Sequence, residues 1–257
     1  MKTAIIGAGN MGGSIARGLA KGSIIPASDI TISNPSQGKL DALAAEFPAL
    51  HTTHDNQEAV NGAALVILAV KPWLIKSVLR ELKLKSKQIL ISVAAGISFE
   101  ELAQSVAEKE MTMFRIIPNT AISEMESMTL IASRNATKEQ EQLMQDVFNQ
   151  MGISMLLPEE KFAAATALTS CGIAYVLKYI QAAMQAGIET GLTPHDSMRM
   201  VAQTMKGAAQ LILNNNTHPS VEIDKVCTPG GITIKGINEL EHAGYSSAII
   251  NAIKKSV

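Results

Sequence analysis

Gly7-Ala8-Gly9-Asn10-Met11-Gly12 sets three glycines in a G-x-G-x-x-G spacing. The apolar run Ala4-Ile5-Ile6 precedes it, and Met11, Ile15 and Leu19 recur behind it at helical spacing. Between a strand and a helix, each glycine of this pattern has a job. The first turns the chain tightly, the second lets backbone approach a pyrophosphate, and the third lets helix and strand pack closely. The helix N-terminus then offers unpaired N–H groups and a positive dipole end to the phosphates. The chemistry indicated is dinucleotide binding, with these six residues as the cradle.

Further residues fit the same chemistry. A dinucleotide site that selects a free ribose carries an acid about 20 residues past the glycines. Here the corresponding stretch is Ile32-Ser33-Asn34-Pro35-Ser36, with no acid. Ser33, Asn34 and Ser36 can donate to a 2′-phosphate and Lys39 can add charge, so NADPH is expected, with NADH possible. Ala69-Val70-Lys71-Pro72 and Ala94-Ala95-Gly96 each follow an apolar run. Strand ends of this kind form the ligand crevice of open α/β sheets, and their small residues let a nicotinamide ring lie against backbone. Lys71 is a lone cation at that edge, and Pro118-Asn119-Thr120 reads as a turn over it. Near the C-terminus, Thr228-Pro229-Gly230-Gly231-Ile232-Thr233 exposes successive N–H groups where a helix starts at Thr233. That suits a carboxylate, and the Thr233 hydroxyl can donate or accept; taken alone, the same stretch reads as an ordinary N-capped helix after a turn. His51, His54 and Asp55 lack further ligands, so no metal is expected. No Ser-His-Asp or Cys-His arrangement is legible.

These residues need a frame. Strand signals fall at 2–6, 30–33, 64–70, 88–93 and 112–116, with a weaker one at 51–53. Helical signals fall at 11–21, 37–46, 73–82 and 99–108, and a strand at 128–132 and a helix at 138–151 follow. Runs that are apolar throughout suit strands covered on both faces. The alternation predicts an α/β fold: a Rossmann-type, doubly wound parallel sheet over residues 1–158. Residues 159–257 read as all-α, with helices at 159–190, 194–213, 220–226, 233–242 and 246–254. The first of these is apolar nearly all round at 173–177, which predicts a subunit interface.

Composition sets outer bounds. A chain of 257 residues buries about 70–75% of its unfolded surface. A net charge of −1 gives no electrostatic draw toward nucleic acid or an anionic membrane. Hydrophobic residues are 47% but aromatics only 4%, so Ala, Ile, Leu, Val and 13 Met must fill the interior. Cys171 and Cys227 have neither zinc nor disulfide-framework spacing, and a reducing cytoplasm is expected. The start of the chain is not a convincing signal peptide. The apolar stretch 162–177 is interrupted by Thr166, Thr169 and Ser170 and reads as shorter than the roughly 20 residues that cross a bilayer.

Taken in order, the motifs resemble those of the pyrroline-5-carboxylate reductase family along the whole chain. IIGAGNMG, AVKP at 69–72, SVAAGIS at 92–98, RIIPNT at 115–120 and TPGGITIKGINELE at 228–241 carry the resemblance. It implies reduction of Δ1-pyrroline-5-carboxylate to L-proline by hydride transfer from NAD(P)H, in a homodimer within a larger homo-oligomer. It assigns the cofactor to the glycine turn, Ser33, Asn34, Ser36, Asn56, Ala69, Val70, Lys71, Pro72, Ala95 and Gly96. It assigns the substrate to Asn119, Gly230, Gly231, Ile232 and Thr233, with Thr233 as catalytic hydroxyl. Two departures stand out. Pro35 occupies a place where the family often has Arg, and Ser170-Cys171-Gly172-Ile173-Ala174 replaces Gly-Ser-Gly-Pro-Ala, which implies a less kinked helix. The alternatives are a β-hydroxyacid dehydrogenase, with Lys178 as its helix lysine, and a nucleotide-binding sensor without catalysis.

Overall fold

Four-residue apolar strands make the centre of the sheet. The computed structural model describes residues 1–257 and divides into two compact units, Met1–Ser170 and Cys171–Val257. In the first, β1 (Thr3–Ile6), β4 (Leu65–Leu68) and β5 (Ile89–Ser92) are buried at every position. β2 (Ile30–Ser33), β3 (His51–Thr53) and β6 (Met113–Ile117) complete a parallel set, joined by β7 (Ser127–Arg134) and β8 (Gly152–Leu156) in the order β3-β2-β1-β4-β5-β6-β7-β8. Alternation along each strand feeds two cores. Ile5, Ile32, Ile67 and Phe114 face α1 (Asn10–Lys21), α2 (Gln37–Glu46) and α6 (Lys138–Asn149). Ile6, Val66, Leu68 and Leu90 face α3 (Asn56–Val60), α4 (Ile75–Glu81) and α5 (Phe99–Ala103).

The expected sheet is therefore present, with one amendment: β7 runs antiparallel to β6, and β8 runs parallel to β7. β8 had no strand signal of its own, because Ile153 and Met155 point outward and only two residues separate helix 138–149 from it. Gly152 makes the pairing possible. Its φ is +134°, and a Cβ there would lie 2.2 Å from the Ser127 carbonyl oxygen. α5 stops at Ala103, five residues short of expectation, after a capping box in which Ser98 and Glu101 satisfy each other. The Ser98 backbone N–H and hydroxyl hold the Glu101 carboxyl below the usual range.

The long helix expected over 159–190 is not one regular helix. A 3-10 turn at Glu159–Lys161 leads into α7 (Phe162–Thr166), a wide π-type turn at Ala167–Cys171, and α8 (Gly172–Glu189). The stretch Ser170-Cys171-Gly172 that departs from the family pattern falls at the end of this wide turn and the start of α8. The wide turn breaks the i→i−4 ladder, and Asn119 Nδ2 donates to the freed Thr169 carbonyl at 3.1 Å. Phe162 and Ala167 are buried in the first unit, which is why that unit extends to Ser170.

Helical structure from Glu159 through Glu189 covers 31 residues at a peak mean hydropathy of 1.3, long and apolar enough by that measure to cross a membrane. In the second unit, α8 packs along α9 (Pro194–Asn215), where a Cβ on Gly187 would meet Ser197 Oγ at 2.6 Å. α10 (Pro219–Val226), α11 (Ile232–His242) and α12 (Tyr245–Lys254) follow. The Tyr175 hydroxyl pairs with Ser256, joining α8 to the chain end. Ser197 is the one buried residue between Cys171 and Val257.

Candidate active site

The strand order reverses between β1 and β4: β1 leads to β2 on one side, and β4 lies on the other. Ligands of open α/β sheets bind outside the strand C-termini at such a switch point. Six parallel strands bring their C-terminal ends to one edge, and with them Gly7–Gly12, Ser33–Asn34, Ala69–Pro72, Ala94–Gly96 and Pro118–Asn119. Backbone bonds set the register: Gly7 N–H donates to Ser33 O, Ala69 N–H to Ile6 O, and Val93 N–H to Leu68 O.

The three glycines of the turn differ in what demands them. Gly7 has φ +105°, and a Cβ there would sit 2.6 Å from Ala69 O. On Gly12 it would sit 2.0 Å from Gly7 O. Both are required by the fold. Gly9, the N-cap of α1, has an ordinary φ of −69° and nothing within 4 Å of its Cβ position. Neither backbone nor packing requires glycine at 9. The open space beside it is what a pyrophosphate against the backbone would fill, so the residues present fit a dinucleotide.

Several expected ligand residues are engaged in holding the frame. Ser33 is buried and its hydroxyl donates to Asn56 Oδ1 at 2.7 Å. Asn34 Oδ1 accepts from the Ala8 N–H at 3.0 Å, and its Nδ2 donates to Ser36 O, so it ties the β2 end to the glycine turn. His54 pairs with Asn34 O and Gln37 Oε1, closing the same loop. Ser36 precedes α2 and its hydroxyl makes no capping bond. Asn119 is committed at both ends of its amide, to Ala121 N–H and Thr169 O. Lys71, Ala95 and Gly96 are exposed at the edge, and Gly96 has φ +77°.

An open cavity of about 370 Å³ lies between α1 and α2. Gly9, Gly13 and Arg17 line it from α1, and Gly38, Lys39 and Ala42 from α2. Arg17 had no place in the sequence-based set; it is one cation in an ordinary amphipathic helix, and only the fold brings it to this cavity.

Thr233 belongs to the second unit. Gly231 is the N-cap of α11, so Thr233 is the second residue inside the helix rather than its cap, and it makes no side-chain capping bond. The expected helix start moves by one residue. Gly230 needs its φ of +72°, and a Cβ on Gly231 would lie 2.7 Å from Thr228 Oγ1. The turn thus presents the N–H groups of α11's first turn and a free hydroxyl to solvent.

An eight-stranded, mostly parallel sheet with a glycine cradle at its switch point, followed by an all-helical unit, defines a Rossmann-type NAD(P)H-dependent oxidoreductase. The family model for pyrroline-5-carboxylate reductase dimerisation matches residues 159–257, and that for NADP oxidoreductase, coenzyme F420-dependent, matches residues 2–96. Pyrroline-5-carboxylate reductase 2 of Dictyostelium discoideum is 38% identical over 98% of this chain and 90% of its own length. Pyrroline-5-carboxylate reductase 1 of the same organism is 39% identical, and the match spans 48% of that longer protein. The Plasmodium falciparum pyrroline carboxylate reductase structure with NADP bound superposes at a TM-score of 0.90 with 28% identity, covering 100% of this chain and 95% of that one. The chain belongs to the pyrroline-5-carboxylate reductase family.

Proposed function

We propose that this chain reduces Δ1-pyrroline-5-carboxylate to L-proline with NADPH as the preferred hydride donor, the last step of proline synthesis. The observation that carries the reading is the Thr233 hydroxyl, free of capping duty in the first turn of α11 behind Pro229-Gly230-Gly231. The N–H groups from Gly230 to Thr233 hold the substrate carboxylate, and the hydroxyl serves the ring nitrogen, whose protonated form is intrinsically a good acceptor. The bound nicotinamide supplies the hydride. The chain's remaining task is alignment and exclusion of water. Gly9 gives the pyrophosphate its approach, and Ala95 and Gly96 leave room beside the strand ends. The enzyme works as a homodimer within a larger homo-oligomer, in a reducing cytoplasm where Cys171 and Cys227 remain free thiols, and needs no nucleic acid, membrane or metal. The test is NADPH oxidation with pyrroline-5-carboxylate, set against NADP⁺ reduction with 3-hydroxyisobutyrate. Turnover in the first assay alone is expected. Turnover in the second alone would assign a β-hydroxyacid dehydrogenase, and binding without turnover in either would assign a sensor.

A further inference from the structure

The β2–α2 loop reaches the ribose side of the site without a cation. Position 35 is Pro, which has neither charge nor N–H. The Ser33 hydroxyl is buried against Asn56, and the Asn34 amide is divided between Ala8 and Ser36. Two cations face the adjoining α1–α2 cavity instead. Lys39 is exposed there and forms no ion pair. Arg17 folds back along α1, so that its Nη1 lies 3.3 Å from where a Gly13 Cβ would be. Its Nε donates to Glu46 Oε2 at 2.5 Å. That bond uses one of five guanidinium N–H groups and leaves the terminal fork for another acceptor. Gly9 and Gly38, with nothing within 4 Å of their Cβ positions, leave the space between the cations clear. No carboxylate lines the cavity. An exposed Arg–Glu pair contributes little to folding, so stability does not account for the arrangement.

We infer that Arg17 and Lys39 bind the 2′-phosphate of NADPH from the α1–α2 cavity, in place of a cation in the β2–α2 loop, and that Glu46 positions Arg17 for it. The inference rests on the reductase reading above and names the residues that select its cofactor. A dianionic phosphate matches a bidentate guanidinium and a neighbouring ammonium. Adding such a group to the ribose favours binding here, whereas a free 2′-hydroxyl finds no carboxylate to accept from it.

Calorimetric titration separates the parts. The probes are NADPH against NADH, and 2′,5′-ADP against 5′-AMP. Wild type is expected to prefer the phosphorylated member of each pair. Arg17→Gln and Lys39→Gln each cut that preference about tenfold, as loss of one charge-assisted contact would. The double variant abolishes it, while its melting temperature stays that of wild type. NADPH affinity falls more steeply with salt than NADH affinity, and the double variant removes the difference. Glu46→Ala lowers the preference and Glu46→Gln, which keeps the acceptor, restores it; no change in either would overturn the positioning role. An unchanged preference in the double variant, or an equal loss for both members of a pair, would overturn the inference. So would a wild type that binds NADH as tightly as NADPH, with the reductase reading intact. A wild type that binds neither dinucleotide would overturn the reductase reading and this inference with it.

Discussion

Thr233 lies two residues past the N-cap Gly231, and its hydroxyl carries no capping bond. Thr233→Ala should lower kcat by about 10–100-fold if that hydroxyl assists charge or protonation at the ring nitrogen. Its melting temperature should not move, because no capping bond is lost, and Thr233→Ser should recover most turnover. Steady-state kinetics and thermal melts on the same preparations check both. Gly9→Val should fold normally, since its φ is ordinary and its Cβ position is empty, yet lose NADPH binding in a fluorescence titration. Asn34→Ala should loosen the glycine turn by about 1–3 kcal/mol, the cost of leaving the buried Ala8 N–H without its acceptor. Asn34→Asp should keep that acceptor and shift binding toward NADH; denaturant melts and paired titrations distinguish the two. The glycines were legible because their spacing is itself the geometry. The engagements of Ser33, Asn34 and Asn119 were not, since their partners Asn56, Ala8 and Thr169 are between 23 and 50 residues away. A polar side chain at a strand end reads the same whether it faces a ligand or its own backbone.

Among the elements, the buried strands and the long amphipathic helices were readable from periodicity, down to β3 with its three residues. The short pieces were not. α3 has five residues and owes its start to Asp55, whose carboxylate accepts from the N–H groups of Gln57 and Glu58; an acid three residues before Glu58 was its only signal. β8 depends on Gly152 lying against the Ser127 backbone, a contact no local pattern announces. Gly152→Ala combines a disfavoured φ of +134° with a steric clash and should destabilise the protein by roughly 2 kcal/mol or more. Urea titration should show a lower midpoint at an unchanged slope. The wide turn at Ala167–Cys171 escaped notice for a related reason: what stabilises it is the Asn119 amide, placed by β6.

At the scale of the molecule, the helical unit has almost no interior of its own. Leu177 is 58% exposed, Leu213 62%, Val226 60% and Ile250 58%. Residues 159–257 match the family model for pyrroline-5-carboxylate reductase dimerisation, which accords with an apolar surface that a second copy would cover. Leu177→Asp should therefore yield a species of lower mass by sedimentation, with a lower melting temperature and little turnover; a full-size, active oligomer would remove Leu177 from the interface. Wild-type melting temperature should rise with protein concentration. The same missing interior makes concentration a variable of biogenesis. If a second copy covers the helical half, as the dimerisation family model suggests, that half can finish folding only on encounter, and maturation is expected to be second order. Before encounter, apolar helices are open to chaperones and to aggregation. Halving synthesis should reduce the mature enzyme by more than half, and a variant that slows encounter should be lost to degradation before it shows any defect in catalysis.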